Sequence, residues 1–478
     1  MSILTRRGFL AENAMGIGTV ALAWLMQQER AHAKPKTVDA KPHNDLHLRQ
    51  PHFPARATAM ISLFQHGGPS HMDLTDPKPE LQKFSGTDYP GEVQFSFVND
   101  ASKKLLGSPW KFSAHGQCGT ELSELLPHTA EIVDDLCLIR SMQTGANGHE
   151  VSIRYFHGGI PGVVGRPTLG SWLVYALGSE SQNLPAYMVL SDPGGLPVDG
   201  VTNWSNGFMP ALFQGTVLRP KEPRIHNLQP PAHLAGKFQR QNLDLLQALN
   251  ARYQETHPAE AELEARIQSY ELAARMQTAA AEALDISQET QATQKLYGLD
   301  QDETREYGTR CLIARRLVER GVRFVQLFHN GQPWDNHSDL KVGLPSICRK
   351  TDQPSAALVH DLKQRGLLDS TIVHWGGEIG RLPVTQNQGG PDKAGRDHNG
   401  QGFSIWLAGG GIKGGMAFGK TDEFGHRAVE NVVTPNDFQA TLMNRFGLKY
   451  DELVFPHNSQ EQIITNKRPA RVVSEILA

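Results

Sequence analysis

The sequence predicts an α/β fold: a mainly parallel sheet with helices on both faces, forming a three-layer α/β/α sandwich. Three observations predict it. Short apolar, β-prone runs recur at 57–65, 136–140, 186–190, 322–328 and 371–375. Stretches of helical spacing lie between them, the alternation that a sheet with crossover helices requires. The runs also open into glycine-rich loops that carry histidines and carboxylates, and in open α/β sheets sites gather beyond the carboxyl ends of strands.

Taken in order, the chain begins with Thr5-Arg6-Arg7-Gly8-Phe9-Leu10, a twin-arginine signature. A moderately apolar stretch from Ala14 to Met26 follows, then Ala31-His32-Ala33, an A-x-A cleavage site. This marks 1–33 as an export signal, against the alternatives of an amphipathic helix or a membrane anchor. The run is too short to span a bilayer easily. Polar, proline-containing 34–56 reads as a linker, and 57–478 as a single domain.

The first strand, 57–65, runs straight into His66-Gly67-Gly68-Pro69-Ser70-His71-Met72-Asp73. Residues 80–118 read as a loop or small hairpin, and Thr120 to Asp134 has helical spacing feeding the strand from Leu136. After the loop Thr144-Gly145-Ala146-Asn147-Gly148-His149-Glu150 come a helix to Tyr155, a helix from Arg166 to Leu177 and a strand ending at Leu190. Residues 192–231, rich in Gly, Pro and Asn, would shape a substrate mouth. About 232–298, Glu, Gln, Ala and Leu dominate with few breakers, so a helical insertion is expected there. A helix from Glu303 to Arg320 leads to the strand before His329, and Ser355 to Arg365 forms the next. Strands at 371–375 and 403–408 then flank a loop holding Glu378, Arg381, Arg396, Asp397 and His398.

Composition narrows the function. The chain has 478 residues and a formal charge of -3, which argues against a nucleic-acid partner or an anionic membrane surface. No other stretch could cross a membrane, so the mature chain is expected without a transmembrane anchor, periplasmic or secreted, after handling by the twin-arginine translocase. Cys118, Cys137, Cys311 and Cys348 lack C-x-x-C spacing and read as buried thiols. Twenty histidines, many in polar loops, point to metal. Four loops carry the chemistry: His66/His71/Asp73, His149/Glu150, Asp335/His337/Asp339 and Glu378/Asp397/His398. Neutral imidazoles and carboxylates converging on one point are what a divalent metal needs, whether zinc, calcium or manganese. Arg381 and Arg396 suit a tetrahedral oxyanion, since a guanidinium donates two parallel hydrogen bonds, or else serve as ion-pair partners.

The stretch Ala357–Val373 resembles the helix-to-strand unit of sulfatases in the alkaline phosphatase superfamily. The set His66-Gly67-Gly68-Pro69-Ser70-His71-Met72-Asp73, Trp334-Asp335-Asn336-His337, Gly377-Glu378-Ile379-Gly380-Arg381, Gly395-Arg396-Asp397-His398 and Ala408-Gly409-Gly410-Gly411-Ile412-Lys413-Gly414-Gly415 resembles a closer group, the domain-of-unknown-function 1501 family. That resemblance spans 57–447 and implies an alkaline phosphatase-like α/β/α fold. It also implies metal ligands at Asp73, Asp335, His337 and Glu378, with His398 substituting where Ile379 cannot coordinate, and Asp397 beside it. It puts the nucleophile's place at the Thr144–His149 loop, where Thr144 could attack and His149 could be a ligand or a general acid; water is the alternative nucleophile. No cysteine sits in the sulfatase formylglycine pattern, and Cys311-Leu-Ile-Ala-Arg is off register. The expected function is hydrolysis of a phosphate or sulfate ester, on a small molecule or a polysaccharide. The alternative is a non-catalytic relative that binds a glycan or an envelope protein.

Overall fold

Along β1 (Ala59–Phe64) every side chain is buried, and the two faces of the strand feed different apolar layers. Ala59, Ile61 and Leu63 pack with one cluster, Met60 and Phe64 with the other. A period of two buried on both sides demands a cover on each face. On the first face the cover is the Asp302–Val318 and Leu340–Gln364 helices, through Cys311, Leu312, Leu317, Leu358 and Leu362. On the second it is the His149–Gly158, Leu169–Leu177 and Pro435–Arg445 helices, through Phe156, Trp172, Phe438 and Leu442. These are the three layers the sequence predicts. The computed structural model describes residues 45–96, 102–226, 228, 237–256, 261–386 and 392–478. The twin-arginine segment and the 1–33 boundary lie outside the described residues.

In chain order the further strands are β2 (Phe112–His115), β3 (Thr120–Ser123), β4 (Leu136–Met142), β5 (Tyr187–Leu190), β6 (Thr216–Leu218), β7 (Phe324–Leu327), β8 (Thr371–Gly376), β9 (Gly380–Thr385), β10 (Arg396–Asn399), β11 (Phe403–Ala408) and β12 (Met416–Phe418). With β1, seven of them form one eight-stranded sheet in the order β12-β4-β11-β8-β1-β7-β5-β6. Every neighbouring pair is parallel except those of β11, which runs antiparallel between β4 and β8. The reversal has a consequence for the site. Residues that precede β11 emerge on the same edge as those that follow β1, β4, β7 and β8.

Asn44–Ala478 forms one compact unit. The strap 45–56 lies along it: Arg49 N–H donates to the Leu177 carbonyl at 3.1 Å and Arg56 N–H to that of Arg445 at 2.9 Å. Within the stretch expected to be helical, Lys237–Thr256 and Ala261–Leu284 are helices. No helix among the described residues is long and apolar enough to cross a membrane.

Three local expectations are corrected. Thr120–Asp134 is not one helix: β3 pairs with β2, and a helix begins only at Pro127, whose missing N–H suits a first-turn position. The helix expected from Ser355 begins instead at Leu340 and runs through Pro345 and Pro354. Burial of Leu344, Ile347 and Cys348 against the core outweighs the lost backbone bonds. The loop after β8 holds a two-stranded antiparallel ribbon, with Arg381 of β9 opposite His398 of β10.

Candidate metal centre

The loops leaving β1, β4, β7 and β8 meet the β9–β10 ribbon over one edge of the sheet. Gly67 explains why the approach is so close. Its φ is +105°, and a Cβ placed there would sit 2.7 Å from the Asp335 backbone nitrogen. Only glycine lets the loop after β1 lie against the loop after β7.

Asp335 stands at the middle. Its Oδ1 is 2.9 Å from His337 Nε2 and 3.2 Å from His398 Nε2, and the two imidazole nitrogens are 3.0 Å apart. Ligand atoms bonded at about 2.0–2.2 Å to a common ion lie roughly 3.0–3.5 Å from one another, so this triangle has the edges of a coordination polyhedron. The tautomers support it. His398 Nδ1 lies 2.8 Å from the Asn147 carbonyl, which only accepts, so Nδ1 carries the proton and Nε2 presents a lone pair. Burial first of all holds the His398 ring below its usual pKa, in the neutral form that a metal binds. His337 Nδ1 contacts Gln386 Oε1, which turns His337 Nε2 to the same point. A carboxylate oxygen and two imidazole lone pairs facing one another fit a divalent cation.

The surroundings add two overlapping groups of ligand atoms among the described residues, His149/Asp335/His398 and His337/Asp397/His398. Asp397 is fully buried. It accepts from Ser96 N–H at 2.8 Å, from the Ser96 hydroxyl and from His398 N–H at 2.7 Å.

His149 plays a different part in the metal-free protein. Burial disfavours its charge, but hydrogen bonds to Asp335 and Glu378 outweigh that and raise its pKa to about 9. It therefore donates from both nitrogens, to Glu378 Oε1 at 2.6 Å and Asp335 Oδ2 at 3.3 Å. Glu378 is wholly buried and also accepts from Gly67 N–H at 3.0 Å. Against the penalty of burial, the His149 bond holds Glu378 below its ordinary value. For Asp335 burial is likewise overcome, first by the Arg381 charge and then by the His149 hydrogen bond, and it stays ionised well below the carboxylate range.

The remaining candidates are placed as follows. Arg381 Nη1 lies 2.6 Å from Asp335 Oδ1, and its other nitrogens donate to the Gly67 and Gly68 carbonyls, so its fork is held by the protein. Arg396 commits its fork to Asp73, at 2.7 and 3.1 Å, and both side chains are 0% exposed. Asp73 also accepts from the Ser70 hydroxyl at 2.5 Å. The Thr144 hydroxyl lies 3.3 Å from the Ala146 carbonyl and 3.2 Å from Ser152 Oγ. Neither ligand group includes Asp73, Glu378, His66, His71, Glu150 or Asp339. The first loop thus brings its glycines to the centre rather than its ionisable side chains. His66 is buried beside Phe64 and Phe328, its pKa pushed down to about 4 by desolvation. Ser96, Asn147 and Gln386 are contributors that the sequence reading did not select. Asn147 lay inside a loop already singled out, and the other two carried no signal.

A cluster of imidazoles and carboxylates over the carboxyl edge of a mainly parallel sheet defines a candidate metalloprotein of the α/β class. The chain belongs to the family described as protein of unknown function (DUF1501), whose family model matches residues 57–477. The family that the glycine-rich blocks resemble is therefore the one that contains it. No curated protein matches the chain. Among solved structures, the lipoteichoic acid synthase LtaP from Listeria monocytogenes is similar over 88% of this chain and 80% of its own, at 9% identity and a TM-score of 0.33. The PsFucS1 sulfatase from Pseudoalteromonas sp. is similar over 88% of this chain and 72% of its own, at 11% identity and a TM-score of 0.35.

Proposed function

We propose that this protein is a divalent-metal-dependent hydrolase of phosphate or sulfate esters, exported through the twin-arginine route. The observation that carries the reading is the Asp335–His337–His398 triangle, whose edges of 2.9, 3.0 and 3.2 Å suit one ion. A cation held there supplies the Lewis acidity that polarises a non-bridging ester oxygen. The protein's own groups do the rest. Asp335 is kept ionised by Arg381, and His398 is kept neutral and oriented by Asn147. His149, 2.6 Å from buried Glu378 and 3.3 Å from Asp335, is positioned beside the cation site, where it could pass a proton to a leaving oxygen. The engaged hydroxyl of Thr144 favours water as nucleophile over a covalent route.

The test is elemental analysis of the full exported chain, followed by assays on aryl sulfates, aryl phosphates and phosphodiesters before and after chelation. Bound divalent metal and hydrolysis of at least one ester class that chelation abolishes and metal restores are expected. Metal-free protein after purification in metal-replete buffer, or hydrolysis indifferent to chelation, would overturn the reading.

A further inference from the structure

Gln65 leaves the end of β1 with its backbone N–H on the Gly376 carbonyl at 2.9 Å, so the sheet fixes its position. Its side chain is wholly buried, and both ends of its amide are fully engaged. Nε2 donates to the Leu63 carbonyl at 2.9 Å and to the Tyr307 hydroxyl oxygen at 3.1 Å. Oε1 accepts from the Trp334 indole N–H at 2.9 Å and faces His329 Nε2 at 3.1 Å. An indole N–H only donates, so the amide is fixed in this orientation, and His329 carries its proton on Nε2. One amide thus ties together β1, the Asp302–Val318 helix and the stretch from His329 to Trp334. Trp334 is held twice more. Its backbone N–H donates to the His66 carbonyl at 3.2 Å, and its ring meets Trp375 edge to face with centroids 5.5 Å apart.

We propose that Gln65 is a positioning residue for the cation site, acting through Trp334 to hold the turn on which Asp335 and His337 stand. The inference rests on the reading of that site as a metal centre. Asp335 follows Trp334 directly, and His337 N–H closes back on the Asp335 carbonyl at 3.2 Å. A shift of the indole therefore carries two members of the triangle, while His398 stays on β10, a separate element. Ligand atoms need holding to within about 0.5 Å of their working positions. Leu63 and Tyr307 fix the plane of the Gln65 amide, and that plane aims Oε1 at the indole. Filling the space would take only an apolar side chain of similar volume. A buried amide with two bonds given and two received instead specifies one geometry for the groups around it.

The experiment titrates the metal-free full chain with cobalt(II), reading affinity by calorimetry and coordination geometry by the visible absorption band. Gln65→Leu keeps the side-chain volume and removes the amide. It is expected to bind cobalt(II) about 10–100-fold more weakly and with an altered band, its far-UV circular dichroism spectrum unchanged. Trp334→Phe keeps an aromatic ring against Trp375 and removes the N–H. It is expected to weaken binding in the same direction, and it carries the test if Gln65→Leu disturbs folding. The double variant should bind no more weakly than Gln65→Leu alone, because both changes break the same hydrogen bond. Either single variant folded and binding cobalt(II) as tightly as wild type, or losses that add in the double variant, would overturn the role of Gln65 and leave the metal centre standing. A wild type that binds no cobalt(II) would overturn the metal-centre reading itself, and this inference with it.

Discussion

A histidine's second nitrogen decides what its first can do. His398 gives Nδ1–H to the Asn147 carbonyl, leaving Nε2 as an acceptor 3.0 Å from His337 Nε2 and 3.2 Å from Asp335. His398→Ala is therefore expected to remove one ligand and bring metal content close to zero, as read by elemental analysis. Glu378→Gln acts one contact further out. Loss of the carboxylate that holds His149 Nδ1 removes support from the proton donor rather than from a ligand, so ester turnover should fall about 100-fold while metal content stays close to wild type. Metal content in His398→Ala equal to wild type would remove that side chain from the ligand set. The same logic explains what was legible. Asp335, His337, Asp397 and His398 stand out in sequence because ionisable residues clustered in loops are conspicuous. Asn147, Gln386 and Ser96 orient them through a carbonyl, an amide and a hydroxyl that any loop supplies, so nothing singles them out before the chain is folded. Asp73 carries the same type of side chain as Asp335, yet a buried guanidinium claims it, and only tertiary structure distinguishes the two.

The β9–β10 ribbon shows why an element can be invisible when its residues are not. Arg396-Asp397-His398-Asn399 is a poor strand by composition, and β propensity reflects burial and cross-strand partners more than intrinsic backbone preference. Here the partners come from far away: Asp73 for Arg396, Ser96 for Asp397 and the Asn147 carbonyl for His398. The apolar strands needed no such help, and β1, β4, β7, β8 and β11 lie within a few residues of where their sequences place them. The ribbon's dependence on one ion pair gives it a testable weakness. Arg396 and Asp73 are both 0% exposed, so deleting one partner strands the other's charge without solvent. Arg396→Ala is expected to cost about 3–5 kcal/mol in denaturant unfolding. A cost under about 1 kcal/mol, the range of surface pairs, would show that the pair does not hold the ribbon down.

At the scale of the molecule, the centre sits at the rim of a sheet whose second apolar layer carries neutral histidines. His374 on β8 has Nδ1 3.0 Å from Ser62 Oγ and packs on Phe156 and Phe438, while His157 packs beside Phe64 and Phe156. Desolvation pushes both pKa values from 6.5 down to about 3. The sign of the linkage follows. Between about pH 6.5 and 3 the unfolded chain binds a proton at each of these positions and the folded chain does not, so stability rises with pH across that window. Their contribution is full above pH 6.5 and falls as the pH drops below it, by up to about 1.4 kcal/mol per pH unit for each ring. His66, pushed down to about 4, and His398 lose stability in the same direction, so the first acid losses near pH 6 belong to buried neutral histidines rather than to carboxylates, which lose theirs only at lower pH. Urea midpoints measured between pH 7.5 and 5 should therefore fall in the wild type, and His374→Asn, though less stable at neutral pH, should show a slope shallower by about one proton. An identical slope in the two proteins would mean that the His374 ring is protonated in the folded state, against the apolar surroundings that β8 and the Pro435–Arg445 helix give it.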